Sequence, residues 1–72
     1  MRSFVAYVEF DHDTDLYVGS VPGLPGAHTQ AETLDELQKN LKEVIELCLE
    51  EFGEELPDLP RFVGIQQIEV AV

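Results

Sequence analysis

The residues whose types and spacing first suggest chemistry are the three aspartates of residues 11–15, which read Asp-His-Asp-Thr-Asp. Acids at alternate positions occur in EF-hand calcium loops, which also need a glycine at the sixth position and a bidentate glutamate at the twelfth. Leu16 and Pro22 stand at those positions here, so the run does not match a calcium loop. A solvated hairpin turn fits better, because aspartate side chains hydrogen-bond to nearby backbone in turns.

The same carboxylates, on Asp11, Asp13 and Asp15, suggest a second kind of site, that of a degenerate metal-dependent hydrolase or nuclease. Such a mechanism needs carboxylates that converge on metal ions ~4 Å apart, and acids crowded in one turn need not converge. The four Lys and Arg residues of the chain would also hold a nucleic acid poorly. We therefore expect no enzyme, no metal site and no cofactor, and the hydrolase is the alternative hypothesis.

The other reactive side chains are those of His12, His28 and Cys48. None of them belongs to an H-E-x-x-H, G-x-S-x-G or C-x-x-C motif, and the glycines match no phosphate-binding loop. Cys48 falls among apolar residues at helical spacing, so we expect it to be a small buried side chain rather than a nucleophile. Both histidines are expected to be structural or exposed.

The charge balance limits the kinds of partner. Fifteen Asp and Glu against four Lys and Arg give a net charge of −11, which repels nucleic acids and anionic membranes and attracts basic proteins. We therefore expect a protein partner and no direct binding to nucleic acid or membrane. The single cysteine and the absence of a secretory leader or a membrane-spanning apolar run predict a cytoplasmic protein.

The pattern of apolar and turn residues predicts one domain over residues 1–72. A capping box formed by Thr33 and Glu36 predicts the start of a helix, which Gly53 ends. The predicted strands span residues 3–10, 15–21, 27–31 and 62–72, and a Pro-Gly loop at 22–26 separates the second strand from the third. The fold class is therefore α+β, a small antiparallel sheet of three to four strands packed on one helix in the order β-β-β-α-β.

Apolar residues on a second face of the sheet predict self-assembly. Val5 and Tyr7 alternate with the core-facing residues of the first strand and would be partly exposed in a monomer. The last strand presents Ile68, Val70 and Val72 on one face. Another copy of the chain or a different partner would cover these side chains, and the alternative is an ordinary scatter of apolar residues on the surface. We expect a homo-oligomer, and an orphan self-assembling domain is a further hypothesis.

The predicted helix has an apolar stripe that recurs from Leu34 to Phe52 and an acidic face opposite it. The acids of that face are Glu36, Glu43, Glu46, Glu50 and Glu54. Like charges three or four residues apart cost a few tenths of a kcal/mol per pair, and the macrodipole disfavours acids near a helix C-terminus. Binding to a basic partner would explain this cost, and simple solubility would explain it equally well.

The segment from residue 15 to residue 41 resembles a known family. Asp-Leu-Tyr-Val at 15–18 leads into Val-Pro-Gly-Leu-Pro-Gly-Ala at 21–27, and Ala-Glu-Thr-Leu-Asp-Glu-Leu at 31–37 opens the apolar-periodic helix. This order resembles the HicB family of type II toxin–antitoxin systems, whose hallmark is a Pro-x-Leu-Pro-Gly loop followed by a short strand and a Thr-capped helix. Gly23 replaces the acid usual in that loop, and Ala31 stands where glycine is frequent.

The resemblance implies a partial, inactive ribonuclease-H-like fold that binds and masks the HicA toxin, a small basic RNA-cleaving protein. Many members append a DNA-binding segment, which we do not expect here, so operator binding is not carried over. We therefore predict a non-catalytic, antitoxin-like module that binds a protein. Its candidate contact residues, chosen by charge and projection, are Asp13, Asp15, Tyr17, Glu43, Glu46 and Glu50.

Overall fold

The computed structural model describes residues 2–53 and 55–72. Its elements are β1 (Tyr7–Asp11), β2 (Leu16–Ser20), β3 (His28–Ala31) and α1 (Leu34–Phe52). The strands form one antiparallel sheet in the order β1-β2-β3, so β2 is central and the other two strands are edges. The predicted α+β class, with three antiparallel strands followed by one helix, is confirmed.

The β1–β2 hairpin is closed by the aspartate-rich turn. The Asp11 carboxylate accepts hydrogen bonds from the Asp13 backbone N–H at 3.1 Å and from the Thr14 hydroxyl at 3.0 Å. Asp15 has a φ of 58°, a left-handed conformation that aspartate tolerates better than most residues. Its N–H donates to the Asp11 carbonyl at 2.8 Å. The predicted hairpin turn is thus confirmed.

The first strand is shorter than predicted. The last paired residues of the hairpin are Tyr7 and Ser20, because the chain leaves the sheet at Val21. Residues 3–6 have no partner strand for that reason, although Phe4 and Ala6 still pack against the core.

The loop at 22–26 is compact and contributes to the core. Val21 donates to the Ala27 carbonyl at 2.9 Å, and the Leu24 N–H donates to the Val21 carbonyl at 3.2 Å. Gly23 and Gly26 adopt φ values of 84° and 82°, which other L-residues reach only with strain. The loop thereby buries Val21, Leu24 and Ala27 against Cys48 of the helix.

The helix begins and ends at the predicted caps. The Thr33 hydroxyl accepts a hydrogen bond from the Glu36 N–H at 3.1 Å, and the Gly53 N–H donates to the Leu49 carbonyl at 2.9 Å. Leu37 and Leu41 pack closely on β2 at Gly19, where an added Cβ would lie 2.9 Å from Leu41 Cδ1. The helix packs against β2 and β3 rather than β1. It therefore covers the β2–β3 part of the sheet and leaves β1 uncovered.

The predicted final strand is wrong for this single chain. Residues 62–72 form no strand, and Val63 and Ile65 are 89% and 92% exposed. Alternation of apolar side chains indicates what a segment can do when it is paired, but a strand forms only where a partner edge supplies hydrogen bonds. The Cα radius of gyration is 14.2 Å, against about 11 Å for a compact domain of this length, as a projecting tail requires.

Candidate partner-binding surface

The outer face of α1 carries the acids that the sequence singled out. Glu43, Glu46 and Glu50 are exposed there. Leu47 lies among them with 63% of its surface exposed. It follows Glu43 by four residues and precedes Glu50 by three, so the three side chains are neighbours on one face. The surface therefore consists of one exposed apolar side chain surrounded by carboxylates. Glu54 lies outside the described residues.

Leu47 is the residue of this surface that the sequence analysis missed. The apolar stripe accounts for the other leucines of α1 at 34, 37, 41 and 49, and leaves Leu47 outside it. That isolation is the signal that could have identified it, because an apolar side chain on the polar face of a helix has no core to enter. Leu34, at the start of the apolar stripe, is not buried in the core, because 55% of its surface is exposed.

The aspartates of the β1–β2 turn form a second, separate group. Asp13 and Asp15 are exposed, whereas both carboxylate oxygens of Asp11 accept hydrogen bonds within the turn. Across residues 2–53 and 55–72, no group of three or more His, Cys, Asp or Glu side chains could hold a metal ion. The turn therefore does not provide the converging ligand set that the alternative hydrolase mechanism needs. Calorimetric titration with Mg²⁺, Mn²⁺ and Ca²⁺ is the direct test of that alternative.

The two acidic groups lie toward opposite ends of the molecule. β3 pairs antiparallel to β2, so it ends, and α1 begins, at the same end of the sheet as the β1–β2 turn. The other half of α1 packs at Cys48 against the loop at 22–26. Glu50 lies roughly 21 Å along the axis from Glu36 at 1.5 Å per residue. The structure thus brings Glu43, Glu46 and Glu50 together and separates them from Asp13 and Asp15.

Tyr17, the aromatic contact candidate, belongs to the turn end. It is partly buried against the cluster of Ala31, Leu37 and Leu41. Its ring centroid lies 5.1 Å from that of Phe10, with the rings edge-to-face. Phe10 in turn stacks edge-to-face on His12 at 5.3 Å. Such pairs add about 0.5–1.5 kcal/mol each, so Tyr17 has a packing role whatever else it contacts.

The cysteine lies in the core, as predicted. Cys48 is buried among Val21, Leu24 and Ala27, and its Sγ lies 3.5 Å from the Pro25 carbonyl oxygen, within reach of a weak hydrogen bond. His28 is exposed on β3 and His12 contacts Phe10 in the hairpin. The thiol is therefore a packing group here.

Over the described part of the chain, no helix combines the length and apolar character that crossing a bilayer requires.

The chain is similar to proteins from organisms of different kinds. A family model described as UPF0150-like matches residues 5–57. A UPF0150 protein of Thermotoga maritima is 49% identical over 69 residues, covering 96% of this chain and 91% of the relative. A UPF0150 protein of Synechocystis is 49% identical over 69 residues with 96% of each covered, and one of Archaeoglobus fulgidus is 47% identical over 72 residues with 93% of each covered. No solved structure matches the chain.

Proposed function

The chain belongs to the UPF0150-like family, and from that premise we propose that it is a non-catalytic module that masks a small basic protein. The observation that carries the proposal is the outer face of α1, where Leu47 is exposed within a group of glutamates. The basic residues of α1 are Lys39 and Lys42, which offset its acids only in part. A basic partner would relieve the repulsion that remains among the glutamates of this face.

The resemblance to HicB antitoxins supports a toxin as that partner. The residues that carry it occupy the β2 strand, the loop at 22–26 and the capped start of α1, which are well-formed parts of this fold. In that family the domain masks HicA, a small basic RNA-cleaving protein. A toxin that cleaves RNA needs a positive surface to hold its substrate. An acidic helix face seated on that surface would exclude the RNA.

The physics of interfaces supports α1 as the centre of contact. Affinity concentrates in a few side chains that lose all their water, surrounded by a rim that stays polar. Leu47 is suited to the central position, and Glu43, Glu46 and Glu50 to the rim. The rim charges would speed the encounter with a basic protein and fix its register. Asp13, Asp15 and Tyr17 are the contact candidates for a partner that also reaches the turn end.

The test is to co-express the chain with the product of the neighbouring reading frame, which the proposal expects to be a short basic protein, and to measure their Kd and the neutralisation of RNA cleavage. We expect the double variant Glu46→Lys/Glu50→Lys to weaken binding by at least about tenfold, since like charges that face each other across an interface cost several kcal/mol. The matched control is Glu9→Lys/Asp58→Lys, which changes net charge equally at exposed positions outside α1.

Two outcomes would overturn the proposal. One is that no basic protein co-purifies with the chain and the double variant still neutralises the toxin as well as the wild type does. The other is that the control weakens binding as much as the helix variant, which would show a general charge effect without a defined surface. A cytoplasmic location, where RNA is translated, is part of the same proposal.

A further inference from the structure

The tail, residues 62–72, has the side-chain pattern of a strand but no partner strand. Over its last six residues Ile68, Val70 and Val72 alternate with Gln67, Glu69 and Ala71. Ile68 and Val70 are each 71% exposed. The tail carries one charged residue, Glu69, in a chain of net charge −11. It is therefore the segment best suited to burial against a molecule that is itself acidic.

β1 has an edge that could pair with such a strand. The β1 strand is an edge of the sheet, hydrogen-bonded only to β2 among the described residues. Beside it, on the helix side, lies an open groove of about 450 Å³ between Val8 and the helix residues Leu34, Leu41 and Ile45. Val8 and Leu34 are exposed in that groove. A free edge next to uncovered apolar side chains is a template for another strand.

We propose that a second copy of this chain supplies its tail as a fourth strand along β1. Ile68 and Val70 of the second copy enter the groove between β1 and α1, and Gln67 and Glu69 face the opposite, open side of the sheet. The exchange is reciprocal, so each copy both gives and receives a tail. Such a two-fold arrangement uses one patch twice and leaves neither β1 edge unpaired.

The path of the chain argues for exchange between copies over docking within one. Phe62 packs edge-to-face on Tyr7 with ring centroids 6.1 Å apart. Tyr7 alternates with Val8 along β1, so this contact lies on the face away from the groove. Beyond Phe62, Gly64 and Ile65 still line an open pocket with residues 5–9. Val63 and Ile65 nevertheless stay almost fully exposed, and residues 62–72 pair with no strand among the described residues. The alignments with the Thermotoga and Synechocystis relatives cover 96% of the chain, so they extend into this tail.

The experiment measures the mass of the free chain by light scattering coupled to gel filtration, without any toxin present. We expect a dimer for the wild type and a monomer for Ile68→Asp/Val70→Asp. The matched control, Gln67→Asp/Ala71→Asp, adds the same charge on the other face of the tail and should stay dimeric. The helical circular dichroism of each variant shows that α1 is intact.

A second measurement separates exchange from docking within one chain. Unlabelled chains carrying Cys48→Ala and a spin label at Ala71→Cys are mixed with ¹⁵N-labelled wild type. Exchange predicts paramagnetic broadening of the Val8 and Phe10 amides of the labelled copy, which a tail docked in its own chain cannot cause. A monomeric wild type, a dimer that survives Ile68→Asp/Val70→Asp, or unbroadened β1 amides would each overturn the proposal. All three are independent of the toxin, so the proposed function can fail or stand separately.

Discussion

The two edges of the sheet differ in what covers them. At the β3 side, α1 packs over the sheet and buries Leu37 and Leu41 against Ala31. At the β1 side the helix does not reach, and Val8 and Phe10 are exposed although they face the same side of the sheet. Apolar character alone therefore does not decide burial in this chain. Burial depends on how far the 19-residue helix extends over the sheet. Apolar side chains of the sheet beyond the helix can be buried only against another molecule.

The largest effect expected from breaking the covered side is that of Leu37→Ala. Leu37 is 1% exposed, and truncation of a buried leucine costs about 2–5 kcal/mol because a cavity remains. The free energy of unfolding from urea titration at fixed chain concentration measures this cost. Leu47→Ala is the matched control and should change stability by less than about 0.5 kcal/mol. Equal losses for both would mean that the covered side is no better packed than the helix surface.

The close approach of α1 to β2 predicts the next largest effect. A methyl group at Gly19 would meet Leu41 Cδ1 at 2.9 Å, so Gly19→Ala should destabilise the chain by about 1–3 kcal/mol through overpacking. The same change at Gly64, which has no neighbour within 4 Å, serves as the control and should have little effect. A neutral Gly19→Ala would show that the Leu41 side chain can turn aside, or the helix shift from the sheet, without cost.

A smaller effect is expected at the helix start. Thr33→Ala removes the acceptor for the Glu36 N–H and should cost about 1 kcal/mol. Thr33→Ser keeps the acceptor and should retain most of the stability. Thermal melts followed by circular dichroism compare the two. If serine restores nothing, the threonine contributes through packing rather than through the cap.

The smallest effect has the opposite sign. Glu46→Gln/Glu50→Gln relieves like-charge repulsion and should stabilise the free chain by a few tenths of a kcal/mol. The same variant should bind a basic partner more weakly. Urea titrations at low and high salt test the first part, because salt should remove the difference. A destabilised variant would indicate that these glutamates have compensating contacts within the chain.

Local signals in the sequence predicted the elements that depend on local contacts. The caps at Thr33 and Gly53, the hairpin turn and the Pro-Gly loop all form hydrogen bonds within a few residues of themselves. The start of β1 was placed too early, since it is set by where β2 ends. The strand at 62–72 was wrong because alternation cannot indicate whether a partner edge is present.

The candidate site could be predicted only in outline. Charge and helical spacing identified Glu43, Glu46 and Glu50 as one exposed group, which the fold keeps together. They could not show that Asp13 and Asp15 lie at the other end, because that follows from strand order. Leu47 escaped notice because periodicity favours residues that join the stripe. Whether any of the six candidates contacts a partner stays a prediction.

The burial of Cys48 beneath the Pro25 carbonyl gives the molecule a built-in reporter. A thiol reagent can reach this sulfur only when the second half of α1 lifts from the loop at 22–26. The rate of labelling therefore reports how often α1 opens locally, which is distinct from complete unfolding. A partner seated on the outer face of the same helix turns would slow the reaction without touching the sulfur. The labelling rate of Cys48 therefore measures how tightly a partner holds the outer face of α1.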